Sequence, residues 1–253
     1  MNNHKVIIFD LDGTAIPNTP GGMPSEKLIQ AIANAKDKIK LCAATGRPIT
    51  NAKPILDALD LDEPCVISAG TQIVNPKTGD ILWEASLDEG DVKKILAICQ
   101  PYHYELLIRN ELMGEGTTAA DRVIDGHVNV MYLMGCAEAD AEIILEQLDA
   151  IPAITAAGVL SWTHEGVDIH ITHRDATKEH AIGELLRILD TDKAASVGVG
   201  DANNDIHLFK GVGYKVAMGN ATDQLKAEAD EVIDSVDDDG LAYFIERLRQ
   251  NNA

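Results

Sequence analysis

The stretch Val6-Ile7-Ile8-Phe9-Asp10-Leu11-Asp12-Gly13-Thr14 decides the fold. Four apolar residues run without a break, and two carboxylates follow two positions apart. An unbroken β-branched and aromatic run reads as a strand buried on both faces, as in a parallel sheet. In an extended chain, residues two apart point to the same side. Asp10 and Asp12 therefore leave the strand's carboxyl end together, at the edge where open α/β sheets bind ligands. Carboxylates that close repel unless a cation or a shared proton lies between them. A hard divalent metal, which takes oxygen ligands, removes that repulsion. Gly13 permits a tight turn, and Thr14 offers a hydroxyl and an amide to an anion. A calcium loop is the poorer reading. It calls for further Asp or Asn ligands and a Glu about twelve positions from its start, whereas Ala15, Ile16 and Pro17 follow here. From these residues alone an acidic strand-to-loop turn stays open as an alternative.

Outward from this stretch, the chain alternates strands and helices. Residues 17–24 form a Pro/Gly-rich loop, after which Ser25 can cap a helix bearing Leu28, Ile29 and Ile32 on one face. Residues 39–44 read as a second strand leading into Thr45-Gly46-Arg47-Pro48, residues 50–59 as a helix, and residues 65–68 as a third strand before Ala69-Gly70-Thr71. That order implies a doubly wound parallel sheet with right-handed crossovers. From about residue 80 the pattern changes. Residues 87–99 and 137–148 look helical, and residues 102–108 look like a strand. Val128, Val130, Tyr132 and Met134 share one face of an alternating segment, and residues 167–171 alternate again. Alternation marks strands with one covered face, which is typical of antiparallel sheets. The first pattern returns with a helix at 178–189, strands at 195–199, 214–218 and 231–233, and a closing helix from Gly240. The expectation is an α/β core built from residues 1–79 and 173–253, with an inserted α+β domain at 80–172.

The bulk numbers set limits. The 253 residues fit one large domain or two modest ones. A net charge of −20 argues against nucleic-acid backbones and anionic membranes as partners. Any anion site must then be locally positive, made from a metal, a lysine and helix N-termini. Cys42, Cys65, Cys99 and Cys136 lack the spacing of a zinc site and read as buried reduced thiols. No apolar run is long enough to span a bilayer, and Met1 to His4 leave no room for a signal peptide before the first strand, so a cytoplasmic location is expected.

Polar residues recur where the buried strands end: Asp10 and Asp12, then Thr45-Gly46-Arg47, then Asp201, Asn204 and Asp205, with Lys178 opening a helix. If these strands are parallel, the set supplies a carboxylate nucleophile, further metal ligands, a hydroxyl with nearby amides, and a cation. Phosphoryl transfer needs those parts. In this order the segments resemble the haloacid dehalogenase superfamily, and within it the type IIB, Cof-like sugar-phosphate phosphatases. Asp-x-Asp-Gly-Thr matches residues 10–14, the second motif matches Thr45, the third Lys178, and Gly-Asp-x-x-Asn-Asp matches residues 200–205. Met218-Gly219-Asn220-Ala221 and Asp239-Gly240 also resemble this subclass, and the insert sits where the type IIB cap sits.

The resemblance implies a Rossmann-like core, Mg2+ as cofactor, a small phosphorylated metabolite as substrate and an aspartyl-phosphate intermediate. It implies that Asp10 attacks phosphorus and that Asp12 serves as acid and then base. Thr45 and the Gly46 amide would hold phosphate oxygens, and Lys178 would neutralise both Asp10 and the phosphoryl group. Asp201 would complete the metal shell with the Asp10 carboxylate and the Asp12 carbonyl. Asp205 would be a further ligand or a support, and Asn204 would orient substrate or metal-bound water. Ala69-Gly70 departs from the Asn-Gly often found in the family, and Ala15 replaces a larger apolar residue. In the cap, Arg109, Arg122, His127, His164 and His170 are candidates for choosing the leaving group, Arg109 first. A phosphomutase of the same fold and a non-catalytic phosphometabolite-binding protein are the alternatives. The sequence does not indicate an oligomeric state.

Overall fold

A computed structural model describes residues 4–110, 115–118, 128–161 and 164–251. The opening apolar run is strand β1 (Val6–Phe9), with every side chain fully buried. Its side chains alternate between the two faces of the sheet and are buried on both, and its edges are both paired in parallel. Then come α1 (Glu26–Ala35), β2 (Lys40–Ala43), α2 (Ile49–Leu59), β3 (Cys65–Ile67), β4 (Gln72–Val74) and β5 (Ile81–Glu84). The inserted segment holds α3 (Glu89–Cys99), β6 (Glu105–Asn110), β7 (Glu115–Thr118), β8 (Val130–Cys136), α4 (Glu138–Asp149), β9 (Ile154–Leu160) and β10 (Val167–His173). The chain closes with α5 (Lys178–Ile188), β11 (Ser196–Gly200), α6 (Ile206–Gly211), β12 (Tyr214–Ala217), α7 (Asp223–Glu228), β13 (Glu231–Val232) and α8 (Gly240–Asn251).

The central sheet has the order β13-β12-β11-β1-β2, and the pairs formed between these strands are all parallel. The α/β class with a doubly wound parallel core, as read from the sequence, is what the structure shows. Phe9 registers with Val199 on one side and Ala43 on the other. The residues that follow, Asp10, Asp201 and Thr45, therefore emerge along one edge. One expectation needs correction. β3 is not a full ladder strand of this sheet: it meets it through the single parallel bridge of Ala44 with Val66 and the Thr45 amide bonding the Val66 carbonyl at 3.0 Å. Its three residues instead pair antiparallel with β4, in a separate sheet of order β3-β4-β5. A strand this short, closed by a turn at Ser68, has room for little more.

The chain divides into two compact units, Met1–Trp83 with Thr177–Ala253, and Glu84–Ala176. The second is an antiparallel sheet of order β7-β6-β8-β10-β9 with α3 and α4 covering one face. Its core joins Val92, Ile95 and Cys99 of α3 to Ile144 and Leu148 of α4 and to Met131, Leu133, Ile169 and Ile171 of the sheet. In β8 the core-facing side chains are thus Met131 and Leu133, while Tyr132 and Met134 are half-buried on the other face. The alternation at 128–134 separates two faces without saying which one is covered. Nearly every residue there is apolar, so period alone could not choose the side. Asp168 is 4% exposed, and its Oδ1 accepts the Gly135 amide at 2.8 Å where β8 slips register against β10.

Beyond β3, Ser68, Ala69 and Gly70 take φ of 50°, 57° and 105° in succession. Gly70 passes so close to the start of α5 that a Cβ there would lie 2.3 Å from the Thr177 carbonyl carbon. This turn ties the edge of the site to the helix that carries Lys178. Asn, which the resemblance leads one to expect at 69, tolerates a left-handed backbone better than Ala does. Ala69→Gly should therefore raise the free energy of unfolding by about 0.5–1 kcal/mol in urea titration; a loss of stability would show that the turn's conformation is not strained.

Candidate active site

The site sits where β1, β2 and β11 end and α5 begins. Thr177 caps α5 by accepting the His180 amide at 3.2 Å, which fixes Lys178 in the helix's first turn. The Lys178 ammonium is 4% exposed and donates to Asp10 Oδ1 at 2.6 Å and to Asp205 Oδ1 at 2.7 Å. Its attraction to Asp10 alone is on the order of 6 kcal/mol at an effective dielectric near 20, before desolvation is charged against it. Burying ions costs several kcal/mol each, so the pair fixes positions more than it stabilises the fold. Asp205 is fully buried, and its Oδ2 accepts the Asp201 and Ala202 amides at 3.1 and 3.2 Å. With both oxygens engaged, it is well placed to hold Lys178 and shape the Asp201 turn. Asp201 accepts the Thr14 hydroxyl at 3.3 Å. Gly13, at φ 80°, lets the β1 loop approach, since a Cβ there would sit 2.1 Å from Asp201 Oδ2.

One carboxylate oxygen from each of Asp10, Asp201 and Asp205 lies within 4.8 Å of the others. A buried all-oxygen set suits a hard divalent cation. The electrostatics agree. Burial lifts Asp10 to about 7, with Lys178 pulling it down and Asp205 and Asp201 pushing it further up. Burial, then the charge of Asp205, lifts Asp201 to about 6. Burial also opposes the charge on Lys178, but Asp10 and Asp205 outweigh it and hold its pKa above the usual value. The cluster has more negative charge than one ammonium balances, and a proton or a metal must make up the difference.

Asp12 is not part of this three-carboxylate group. Both its oxygens are taken by one guanidinium: Arg47 Nε lies 2.8 Å from Oδ2 and Nη2 2.5 Å from Oδ1. That bidentate bond raises the Arg47 pKa. Asp12 and Arg47 line a cavity of about 350 Å³ with Asp10, Asn18, Gly46, Asp201, Ala202 and Asn204. Of the residues singled out from sequence, Asp10, Asp12, Gly46, Asp201 and Asn204 line this cavity, while Lys178 and Asp205 stand buried behind Asp10. Thr45 is 1% exposed and does not line it; its hydroxyl accepts the Arg47 amide at 3.1 Å, which leaves the O–H free to donate. Sequence reasoning assigned no role to Arg47 or Asn18. Arg47 stood inside the quoted second motif, but only the fold shows that it reaches Asp12; Asn18 sits in a Pro/Gly loop with no pattern to mark it.

In the inserted unit, His170 is half-buried, edge-on to Tyr132 with ring centroids 4.6 Å apart, and burial lowers its pKa. His164 is exposed, 3.7 Å from Glu105. Arg122 and His127 lie outside the described residues, and of Arg109 only the backbone in β6 is described.

Comparison with known proteins gives the family and the fold. The family model for haloacid dehalogenase-like hydrolases matches residues 7–113 and 117–245. The chain is 33% identical over 106 residues to phosphoglycolate phosphatase 1 of Saccharolobus solfataricus, a match covering 39% of this chain and 46% of that one. It thus spans less than half the length of that relative. It is 26% identical to 5-amino-6-(5-phospho-D-ribitylamino)uracil phosphatase YwtE of Bacillus subtilis, covering 96% of this chain and 98% of that one. The fold matches a haloacid dehalogenase-like hydrolase from Bacteroides thetaiotaomicron with a TM-score of 0.74 at 21% identity, covering 97% and 99% of the two chains. The chain belongs to the haloacid dehalogenase-like hydrolases. It is an enzyme of their phosphatase group.

These carboxyls predict a pH dependence. A carboxyl whose pKa is raised by folding keeps its proton in the folded state where the unfolded chain has lost it. The metal-free protein therefore loses stability as pH climbs from 3.8 through about 6 and about 7. A divalent cation must displace what remains bound. Calorimetry in buffers of different ionisation enthalpy should find about one proton released per Mg2+ near pH 6.5 and close to none above about pH 8; proton-free binding at the lower pH would contradict the assigned electrostatics.

Proposed function

We propose that the protein is a magnesium-dependent phosphomonoesterase of small phosphorylated metabolites, acting in the cytoplasm through an aspartyl-phosphate. The observation that carries this reading is the Asp10 carboxylate, bound to the Lys178 ammonium at 2.6 Å and grouped with Asp201 and Asp205 on one sheet edge. Asp10 is the nucleophile. Its carboxylate oxygen bonds to phosphorus as the bond to the leaving oxygen breaks, and Asp12 delivers a proton to that oxygen. Asp12 then takes a proton from water, the water oxygen attacks phosphorus, and the Asp10 carboxylate leaves. Lys178 keeps Asp10 oriented and offsets charge on the phosphoryl group. Thr45 and the Gly46 amide hold phosphate oxygens, and Asn204 orients the ester. A magnesium ion held by Asp10, Asp201 and the Asp12 carbonyl, with Asp205 as ligand or support, would supply further charge neutralisation.

Asp12 cannot donate to a leaving group while both its oxygens accept from Arg47. Arg47 must therefore yield at least one of them when an ester enters, and a dianionic phosphate is the partner that would draw it off. The inserted unit, which we place at residues 80–172 with its ends within a few residues of the compact unit Glu84–Ala176, serves as the specificity domain. The phosphoglycolate and ribityl-phosphate substrates in the names of two relatives support small phosphate monoesters as the substrate class. The net charge of −20 supports the absence of nucleic-acid and membrane partners, and no helix among the described residues is long and apolar enough to cross a membrane.

The test is release of phosphate from an aryl phosphate with Mg2+. Wild type should turn over, and Asp10→Asn should lose at least about a thousandfold in kcat while its circular dichroism stays unchanged. Turnover retained by Asp10→Asn would remove Asp10 from the nucleophile's role.

A further inference from the structure

The loops that carry Asp10 and Asp201 come from adjacent strands, yet neither is covalently tied to the other. A third loop, residues 218–222 after β12, touches both. The Thr222 amide donates to the Asp201 carbonyl at 2.9 Å, and the Thr222 hydroxyl donates to Asn203 Oδ1 at 2.7 Å. On the other side, Asn220 Nδ2 donates to the Gly13 carbonyl at 2.8 Å, while its Oδ1 accepts the Val236 amide at 2.9 Å. Gly13 is the residue packed directly on Asp201, and the next residue, Thr14, bonds the Asp201 carboxylate at 3.3 Å. A closed circuit results: Asp201 to Thr222, along the loop to Asn220, across to Gly13 and Thr14, and back to Asp201.

We propose that Asn220 is a positioning residue, the pin of a clip that fixes the spacing between the Asp10–Asp12 loop and Asp201. This rests on the reading of those aspartates as a shared metal and phosphoryl site. The reason is geometric. Asp10 and Asp201 repel each other while both are charged, and the loops can relieve that repulsion by drifting apart. The hydrogen bond to the Gly13 carbonyl opposes that drift on the β1 side, and the Thr222 amide opposes it on the β11 side. The polar atoms of the Asn220 amide divide the work. Its NH2 group serves the site, and its oxygen serves the 234–239 segment through Val236.

That division gives a clean pair of variants. Asn220→Asp keeps an acceptor for the Val236 amide but has no N–H for the Gly13 carbonyl. Asn220→Ala loses both bonds without adding charge. Both should bind Mg2+ about tenfold more weakly in calorimetry without ester, and both should lower kcat about tenfold with the ester KM within about twofold of wild type. Asn220→Asp adds negative charge, which by itself would tighten Mg2+ binding, so weaker binding there points to lost geometry. Wild-type Mg2+ affinity in Asn220→Ala would overturn the proposal, as would variants that only melt earlier with unchanged Mg2+ affinity and kcat. Should the wild type show no turnover at all, the phosphatase reading fails, and the Mg2+ affinities still decide the role of Asn220.

Discussion

A buried ammonium between two buried carboxylates is the constraint on which this structure depends. Lys178 comes from the start of α5, Asp10 from the end of β1, and Asp205 from the turn after β11. Their meeting requires a parallel sheet with these strands adjacent, because only then do the carboxyl ends share an edge. The short segments around them are shaped to allow it. Gly70 passes against the backbone at Thr177, Gly13 packs on Asp201, and Asp205 gathers the amides of Asp201 and Ala202. Buried charge of this kind adds little net stability. What it supplies is a fixed arrangement with unbalanced negative charge, which under the proposed function would attract a cation and then a phosphoryl group.

The pairing of Asp12 with Arg47 adds a second constraint. Asp12, the acid of the proposed reaction, is held by both oxygens at the wall of the cavity. The guanidinium that restrains Asp12 is half-buried at the same wall, and under the proposed function it is the cation an arriving phosphate would meet. Under that reading, binding of the ester and release of the acid would be coupled through one side chain.

Much of this was legible in the sequence, for reasons that can be stated. The run at 6–9 is buried on both faces, so it carries no polar residue and is easily read as a central strand. The site residues are legible because parallel strands put motif residues at strand ends, where spacing along the chain translates into a shared edge. Less was legible where the local signal is weak. β4 has three residues, α6 and α7 have six each, and β9 is rich in Ala and Gly, so none offers a clear period. The inward face of β8 could not be chosen because both faces are apolar, and the burial of Asp168 depends on the Gly135 amide at a register slip that no local pattern marks. Arg47 was visible as a residue but not as a partner, since its contact with Asp12 spans 35 positions.

The central claim is that the Lys178 ammonium balances carboxylates that could not otherwise ionise together. The direct test is the unfolding free energy of Lys178→Met against wild type, measured without metal across pH 5 to 8. The account predicts a deficit that grows with pH, reaching about 3–5 kcal/mol where the carboxyls must ionise, and that shrinks toward acid pH where they hold protons. A deficit independent of pH would mean that Lys178 contributes packing alone, and would contradict the account.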